Sequence, residues 1–216
     1  LIEKLDECQA LTEALLAHHS FRLEGPEPDL AQAVGSRMQL EATRWVSPVA
    51  EARLVRIRGN SVSIFNCLIF PFCPDRSPVF VAELLVTGGQ LRLAFLDVQT
   101  PGLRDPSIAC SRTAELAKRY GGLNHREPAP RWALEFSSGY PAYLRPTGQV
   151  EIPMTELYSD YLRVWADLTQ AAPPQPSSEL DSFKRLHRDE SPVADYLTRV
   201  FGEAWASRFM NGFLYR

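Results

Sequence analysis

Hydrophobic and polar positions recur in two rhythms along this chain, and the switches between them mark its elements. Residues 1 to 21 place Ile2, Leu5, Cys8, Leu11, Leu15 and Leu16 at helical spacing, which predicts an amphipathic surface helix ending at His18 and His19. Imidazoles at that end face the negative pole of the helix dipole, so capping rather than metal ligation is their expected role. Gly25 to Asp29 is a turn-rich connector. The stretches QLEATRW and EARLVRI, between Met38 and Ile57, alternate with period two and are expected as outer strands.

The pattern centres on residues 61 to 98, SVSIFNCLIFPFCPDRSPVFVAELLVTGGQLRLAFLDV. Three runs rich in Val, Ile, Leu and Phe are separated by a Pro-rich loop, Pro71 to Pro78, and by Gly88-Gly89. Such runs read as buried strands, and Gly-Gly is a two-residue hairpin signal. Two side chains do not suit the core, Asn66 and Glu83. If the first two strands close with Phe70 opposite Val79, Asn66 lies opposite Glu83 on the face of Ile64, Leu68, Val81 and Leu85, with Cβ atoms about 5 Å apart. A plain hairpin then sets Ala94 beside Glu83 and Arg92 opposite Leu85. Burial disfavours the charged carboxylate, so Glu83 is expected to hold its proton toward neutral pH and to serve as a proton donor. The competing reading is a structural pair with Asn66 or Arg92. A one-residue slip of register would dissolve the arrangement.

Pro106 suits the first turn of a helix running to about Tyr120, with Gly121-Gly122 as its stop. His125 and Arg126 open a polar loop ending at Trp132, and ALEFSSGYPAYLRP reads as a final strand and its exit. Residues 151 to 171 look helical, with Met154, Leu157, Tyr161, Val164, Trp165 and Leu168 on one stripe. AAPPQPSS, residues 171 to 178, is a surface loop. The last helix starts with Ser191 as N-cap and Pro192 in its first turn, burying Val193, Leu197, Val200, Phe201, Trp205 and Phe209. Strands in the middle and helices at both ends predict an antiparallel sheet covered by helices, one domain over residues 1 to 216.

Composition narrows the function classes. A formal charge of −3 over 216 residues lacks the basic excess of a nucleic-acid binder. No apolar run approaches the roughly 20 residues of a membrane span. Cys8, Cys67, Cys73 and Cys110 form no C-x-x-C pair; the two in or beside the apolar sheet, Cys67 and Cys73, are expected as small core residues rather than disulfides, which fits a reducing compartment. Cytoplasm is the default location, although a chain opening on Leu is compatible with a removed organelle-targeting segment. The four histidines are scattered, so no metal site is expected, and no dinucleotide, Walker or nucleophile-elbow motif is present.

Five stretches in order, IFNCLIFP, PVFVAELLVTGG with LDVQTP, APRW, YLRP and FGEAWASRFMNGFLYR, resemble the ferredoxin-dependent bilin reductases over roughly residues 40 to 216. The resemblance implies an α/β/α sandwich with a central antiparallel sheet, in the α/β (α+β) class. It implies an open-chain tetrapyrrole substrate, biliverdin IXα or a dihydrobiliverdin, bound between the sheet and the C-terminal helices of a monomer. Electrons would arrive singly from an external 2Fe–2S ferredoxin, with no tightly bound cofactor and with side chains supplying protons. Asn66 falls where the family carries His or Asn against the pigment, and Glu83 where most members carry a proton-donating Asp. The related red chlorophyll catabolite reductases carry Glu there, so that branch is the alternative enzyme reading. Many members place a second catalytic Asp before the last helix; here Ser191 stands in its place and Asp189 two residues upstream is the candidate substitute. With one donor replaced, a two-electron reduction is expected, and a non-catalytic bilin carrier is a third reading. Arg126, Arg145 and Arg185 are the candidate partners of the propionates. Lys184, Arg185, Arg188, Arg199 and Arg208 would give a basic rim for an acidic ferredoxin.

Overall fold

Eight strands follow from the alternating stretches: β1 (Arg22–Leu23), β2 (Gln32–Val34), β3 (Met38–Val46), β4 (Ala50–Gly59), β5 (Val62–Pro71), β6 (Val79–Thr87), β7 (Gln90–Gln99) and β8 (Ala142–Leu144). The computed structural model describes residues 1–35, 37–121, 129–146 and 152–216. The strands form one antiparallel sheet in the order β1-β3-β4-β5-β6-β7-β8, with β2 also pairing β3. Helices α1 (Ile2–His18), α3 (Ser107–Arg119) and α5 (Met154–Leu168) cover one face. The other face carries the single turn α4 (Arg131–Leu134), α6 (Ser178–Glu190), α7 (Val193–Phe201) and α8 (Glu203–Phe209), the last widening into a π-helical turn at Met210–Leu214. A further single turn, α2 (Pro28–Ala31), precedes β2 and also packs on this side. The molecule is therefore the expected α/β/α sandwich.

Period two divides the central strands between the layers. Phe65, Cys67 and Ile69 of β5, Phe80, Ala82 and Leu84 of β6, and Ala94, Leu96 and Val98 of β7 face α1, α3 and α5. Leu68, Phe70, Val79, Val81 and Phe95 face the C-terminal helices. On the first face Arg56 is buried and pairs with Asp6 of α1 at 2.9 Å, while Tyr158 of α5 and Thr12 of α1 share a 2.6 Å hydroxyl contact.

The register of β5 and β6 is the expected one, with Asn66 opposite Glu83 and Leu68 opposite Val81. The next pairing differs from expectation. Thr87 pairs Gln90 across Gly88 and Gly89, whose φ values of +58° and +75° make the tight turn that needs two left-handed residues. A bulge then opens, because Val86 pairs Leu91 and Leu85 pairs Leu93, leaving Arg92 as the extra residue. Glu83 consequently faces Phe95, not Ala94, and Arg92 is not opposite Leu85.

Other elements also depart from the pattern reading. β4 lies between β3 and β5 inside the sheet rather than as an outer strand. The final strand is only Ala142–Leu144, since Arg131–Leu134 forms a helical turn. Ser178–Glu190 is a helix that the pattern did not suggest, because only Phe183 and His187 are buried along it. Ser177 caps it by accepting from the Leu180 amide at 3.2 Å. The expected last helix is two helices, broken at Gly202, whose φ of +89° suits a residue without Cβ.

Candidate active site

A transverse row of side chains crosses the sheet beneath the C-terminal helices. Val55 on β4 pairs Asn66 on β5, Asn66 pairs Glu83 on β6, Glu83 pairs Phe95 on β7, and Phe95 pairs Tyr143 on β8. Above this row, between the sheet and α7 and α8, lies a cavity of about 410 Å³. Asn66 and Glu83 form part of its floor, with Val55, Ile57, Ile64, Leu85 and Leu93 around them. Trp132, Tyr143, Tyr196, Leu197 and Phe209 close it, and Arg92, Arg145 and Arg199 also line it. The cavity thus joins a large apolar and aromatic surface to a few polar groups, the composition of a small-molecule site.

Glu83 is the only carboxylate that lines it among the described residues. Among the described residues no ion pair or hydrogen bond engages that carboxyl, and burial pushes its pKa up to about 7. Asn66 is 8% exposed, and its side-chain oxygen is buried without a hydrogen-bond partner. The Tyr196 hydroxyl is in the same condition. Buried polar groups normally find partners, so two orphan atoms lining one cavity, one from the sheet and one from α7, are where a ligand's polar groups could sit. Behind Trp132, at 5.3 Å between rings, stands His187 of α6. Gln99 donates its side-chain N–H to the Ala133 carbonyl at 2.9 Å, so its oxygen accepts from His187 Nε2 at 3.2 Å. Burial lowers the His187 pKa to about 3 and keeps the ring neutral.

The structure brings together Glu83, Asn66 and Arg145 of the sequence candidates. Ser191 is buried beside the cavity, next to lining residues Pro192 and Val193, and its hydroxyl accepts from the Val193 amide at 3.3 Å. Asp189 lies outside, exposed at the end of α6 and paired with Arg188 at 2.8 Å. Arg185 also lies outside and donates to Ser182 on its own helix. Arg126 falls outside the described residues. Within the expected basic rim, Arg188 pairs with Asp189 and Arg208 with Asp29, and Lys184 donates to the Arg216 carbonyl at 2.6 Å; Lys184, Arg185 and Arg199 have no carboxylate partner among the described residues.

Sequence reasoning missed Tyr196, which an amphipathic helix pattern treats as one more aromatic; Arg92, expected on the Glu83 face, does line the cavity, but as the extra residue of the bulge rather than opposite Leu85. It also missed Asp97, a fully buried acid of β7 opposite Val81. Burial lifts its pKa to about 6 against the Ser138 hydroxyl and the Val98 amide, which donate to it at 2.7 and 2.9 Å. Asp97 does not line the cavity; it ties the 137–139 loop to the sheet.

Comparison with known proteins shows what the chain is similar to. The phycoerythrobilin:ferredoxin oxidoreductase of Nostoc punctiforme is 28% identical over 198 residues, spanning 82% of this chain and 76% of the relative. The 15,16-dihydrobiliverdin:ferredoxin oxidoreductase of Gloeobacter violaceus is 26% identical, spanning 79% of this chain and 77% of the relative. The fold matches that of tomato phytochromobilin synthase, solved in complex with biliverdin, with a TM-score of 0.75 at 16% identity over 96% of this chain and 82% of the other. The family model for ferredoxin-dependent bilin reductases matches residues 27–216, and the chain belongs to that family.

Proposed function

We propose that this chain reduces an open-chain tetrapyrrole, biliverdin IXα or a dihydrobiliverdin, by two electrons taken singly from ferredoxin, with Glu83 giving a proton to the bound pigment. The observation that carries the reading is an unpaired carboxyl, its pKa pushed up to about 7, on the floor of an aromatic-lined cavity beside an orphan amide oxygen. An acid poised near the working pH is both populated in its protonated form and able to give the proton up. Adding one electron to a conjugated pigment raises its basicity, and a proton from Glu83 then traps the charge. Saturating one double bond consumes two electrons and two protons in all.

The remaining groups suit the same ligand. The Asn66 oxygen can accept from pyrrole N–H groups, and its amide N–H can donate to a carbonyl. Arg92, Arg145 and Arg199 are the cavity cations that would meet the propionates. The names of the relatives above, all acting on bilins, support the substrate class. The test is anaerobic absorbance of the purified protein with biliverdin IXα, before and after adding ferredoxin, its reductase and NADPH. A bound-pigment shift followed by a blue-shifted product is expected. Binding without turnover would mark a carrier or a part-reduced substrate; no binding would turn attention to chlorophyll catabolites.

A further inference from the structure

Reducing one double bond takes two protons, yet Glu83 is the only carboxylate on the cavity wall among the described residues. The position before α7 that would complete an acid pair is Ser191, which carries no carboxyl and is not among the residues lining the cavity. A second proton source must be sought among other side chains that reach the cavity. One O–H group of α7 does so. Tyr196 lines the cavity, and its hydroxyl oxygen is buried with no partner among the described residues. It sits on the helix that roofs the site, whereas Glu83 sits on the sheet that floors it. A flat pigment held between those layers would meet one acid on each side.

Arg199, three residues along α7, lines the same cavity. Side chains at that spacing are neighbours on a helix. Burial raises the Tyr196 pKa, and the Arg199 charge opposes that rise by favouring the phenolate. The guanidinium is turned along its own helix, donating to the Asp195 carbonyl at 3.2 Å, and no carboxylate among the described residues pairs with it. The other charged or titratable groups lining the cavity, among the described residues, are Glu83, Arg92, Arg145 and Tyr143. Cations thus outnumber anions around the oxygen that would acquire negative charge.

We infer that Tyr196 is the second proton donor of the site, delivering from the helix side while Glu83 delivers from the sheet side. The inference rests on the reductase reading above. The step balances as follows. Ferredoxin supplies two electrons in two transfers. The Glu83 O–H bond breaks to form one C–H bond on the pigment, and the Tyr196 O–H bond breaks heterolytically to form the other. The carboxylate and phenolate left behind recover their protons from solvent when the product leaves.

Tyr196→Phe tests this with the ring and its packing retained. Anaerobic single-turnover spectra with biliverdin IXα and reduced ferredoxin should show pigment bound within about 3-fold of the native affinity. The first reduction phase should be intact, and completion of the product should slow by roughly 100-fold. The alkaline limb of the pH profile of that second phase should vanish in the variant. Unchanged second-phase rate and unchanged alkaline limb would overturn the inference, leaving Tyr196 as a packing residue. A native protein that binds but never reduces the pigment would overturn the reductase reading, whatever Tyr196→Phe does.

Discussion

The two faces of the central sheet are built from the same three strands and solve opposite problems. Under α1, α3 and α5, the alternate residues of β5, β6 and β7 are largely apolar and buried, and most polar groups that intrude are paired, the Thr43 hydroxyl and Trp45 indole N–H on β3 excepted. Arg56 finds Asp6, Ser63 and the Ile64 carbonyl, Thr12 meets Tyr158, and Trp165 donates to the Pro78 carbonyl at 3.1 Å. Under α6 to α8 the same strands carry Asn66, Glu83 and Asp97, each with a buried or unpaired polar atom, and a cavity replaces the packed helix. One face is closed by packed helices; the other leaves polar atoms unpaired around a cavity, which costs stability. Real proteins concentrate their local inconsistencies where they function.

The contrast is sharpest at Glu83. An unfolded glutamate releases its proton near pH ~4.3, whereas the folded carboxyl holds it to about 7. The folded state therefore binds more protons across that window, stability falls as pH rises through it, and the deficit is complete above it. Glu83→Gln removes the ionisation and should gain on the order of 2–3 kcal/mol at pH 8, seen as a higher denaturation midpoint that disappears by about pH 4. The same variant should bind pigment and lose at least about 100-fold in turnover. A stability gain coupled to an activity loss is the signature of a functional acid; equal stability across pH would place the carboxyl in water instead.

Asn66→Leu should follow, with turnover reduced roughly 10-fold and pigment absorbance altered, since an apolar isostere relieves the orphan oxygen while removing the pigment's partner. Stability should hold or rise in thermal melts. Arg92→Ala and Arg145→Ala should each raise KM about 3- to 10-fold with kcat nearly constant, the mark of uniform binding lost at a charged tail. On the opposite face, Asp6→Asn should cost about 1 kcal/mol, a value kept small because the Asp6 side chain is half exposed, and should leave KM and kcat unchanged. Burial tends to raise the Asp6 pKa, but Arg56 and Arg58 hold it below the usual carboxylate value. That stabilisation is present above the unfolded pKa and lost as pH falls through the folded one, so the difference between native and variant should vanish in acid. Asp189→Asn should change neither face, because Asp189 pairs with Arg188 outside the cavity.

How far the sequence reveals these faces depends on how local the determinants are. The opposition of Asn66 and Glu83 follows from the spacing of two apolar runs around one loop, and it was legible. The bulge at Arg92 was not, because a Gly-Gly turn fixes the hairpin's hand but not whether the strand after it keeps step. That single extra residue puts Phe95 rather than Ala94 against Glu83. Helix α6 escaped because its exposed face is almost wholly polar and its anchors, Phe183 and His187, number only two. Asp97 lies near the end of its apolar run, where no local signal marks it as buried; Ser138 reaches it from a distant loop. Tyr196 and Trp132 become wall residues through packing between layers, which no local pattern encodes.

The central claim is that Glu83 gives the pigment a proton from the face built for it. The most direct test is stopped-flow absorbance of biliverdin IXα complexes of the native protein and Glu83→Gln, mixed anaerobically with reduced ferredoxin. The native complex should pass to a blue-shifted product. The variant should take up the first electron and stall as an odd-electron pigment, reporting electron transfer without the proton. Formation of the same product by Glu83→Gln at the native rate would contradict the account and move the proton source elsewhere in the cavity.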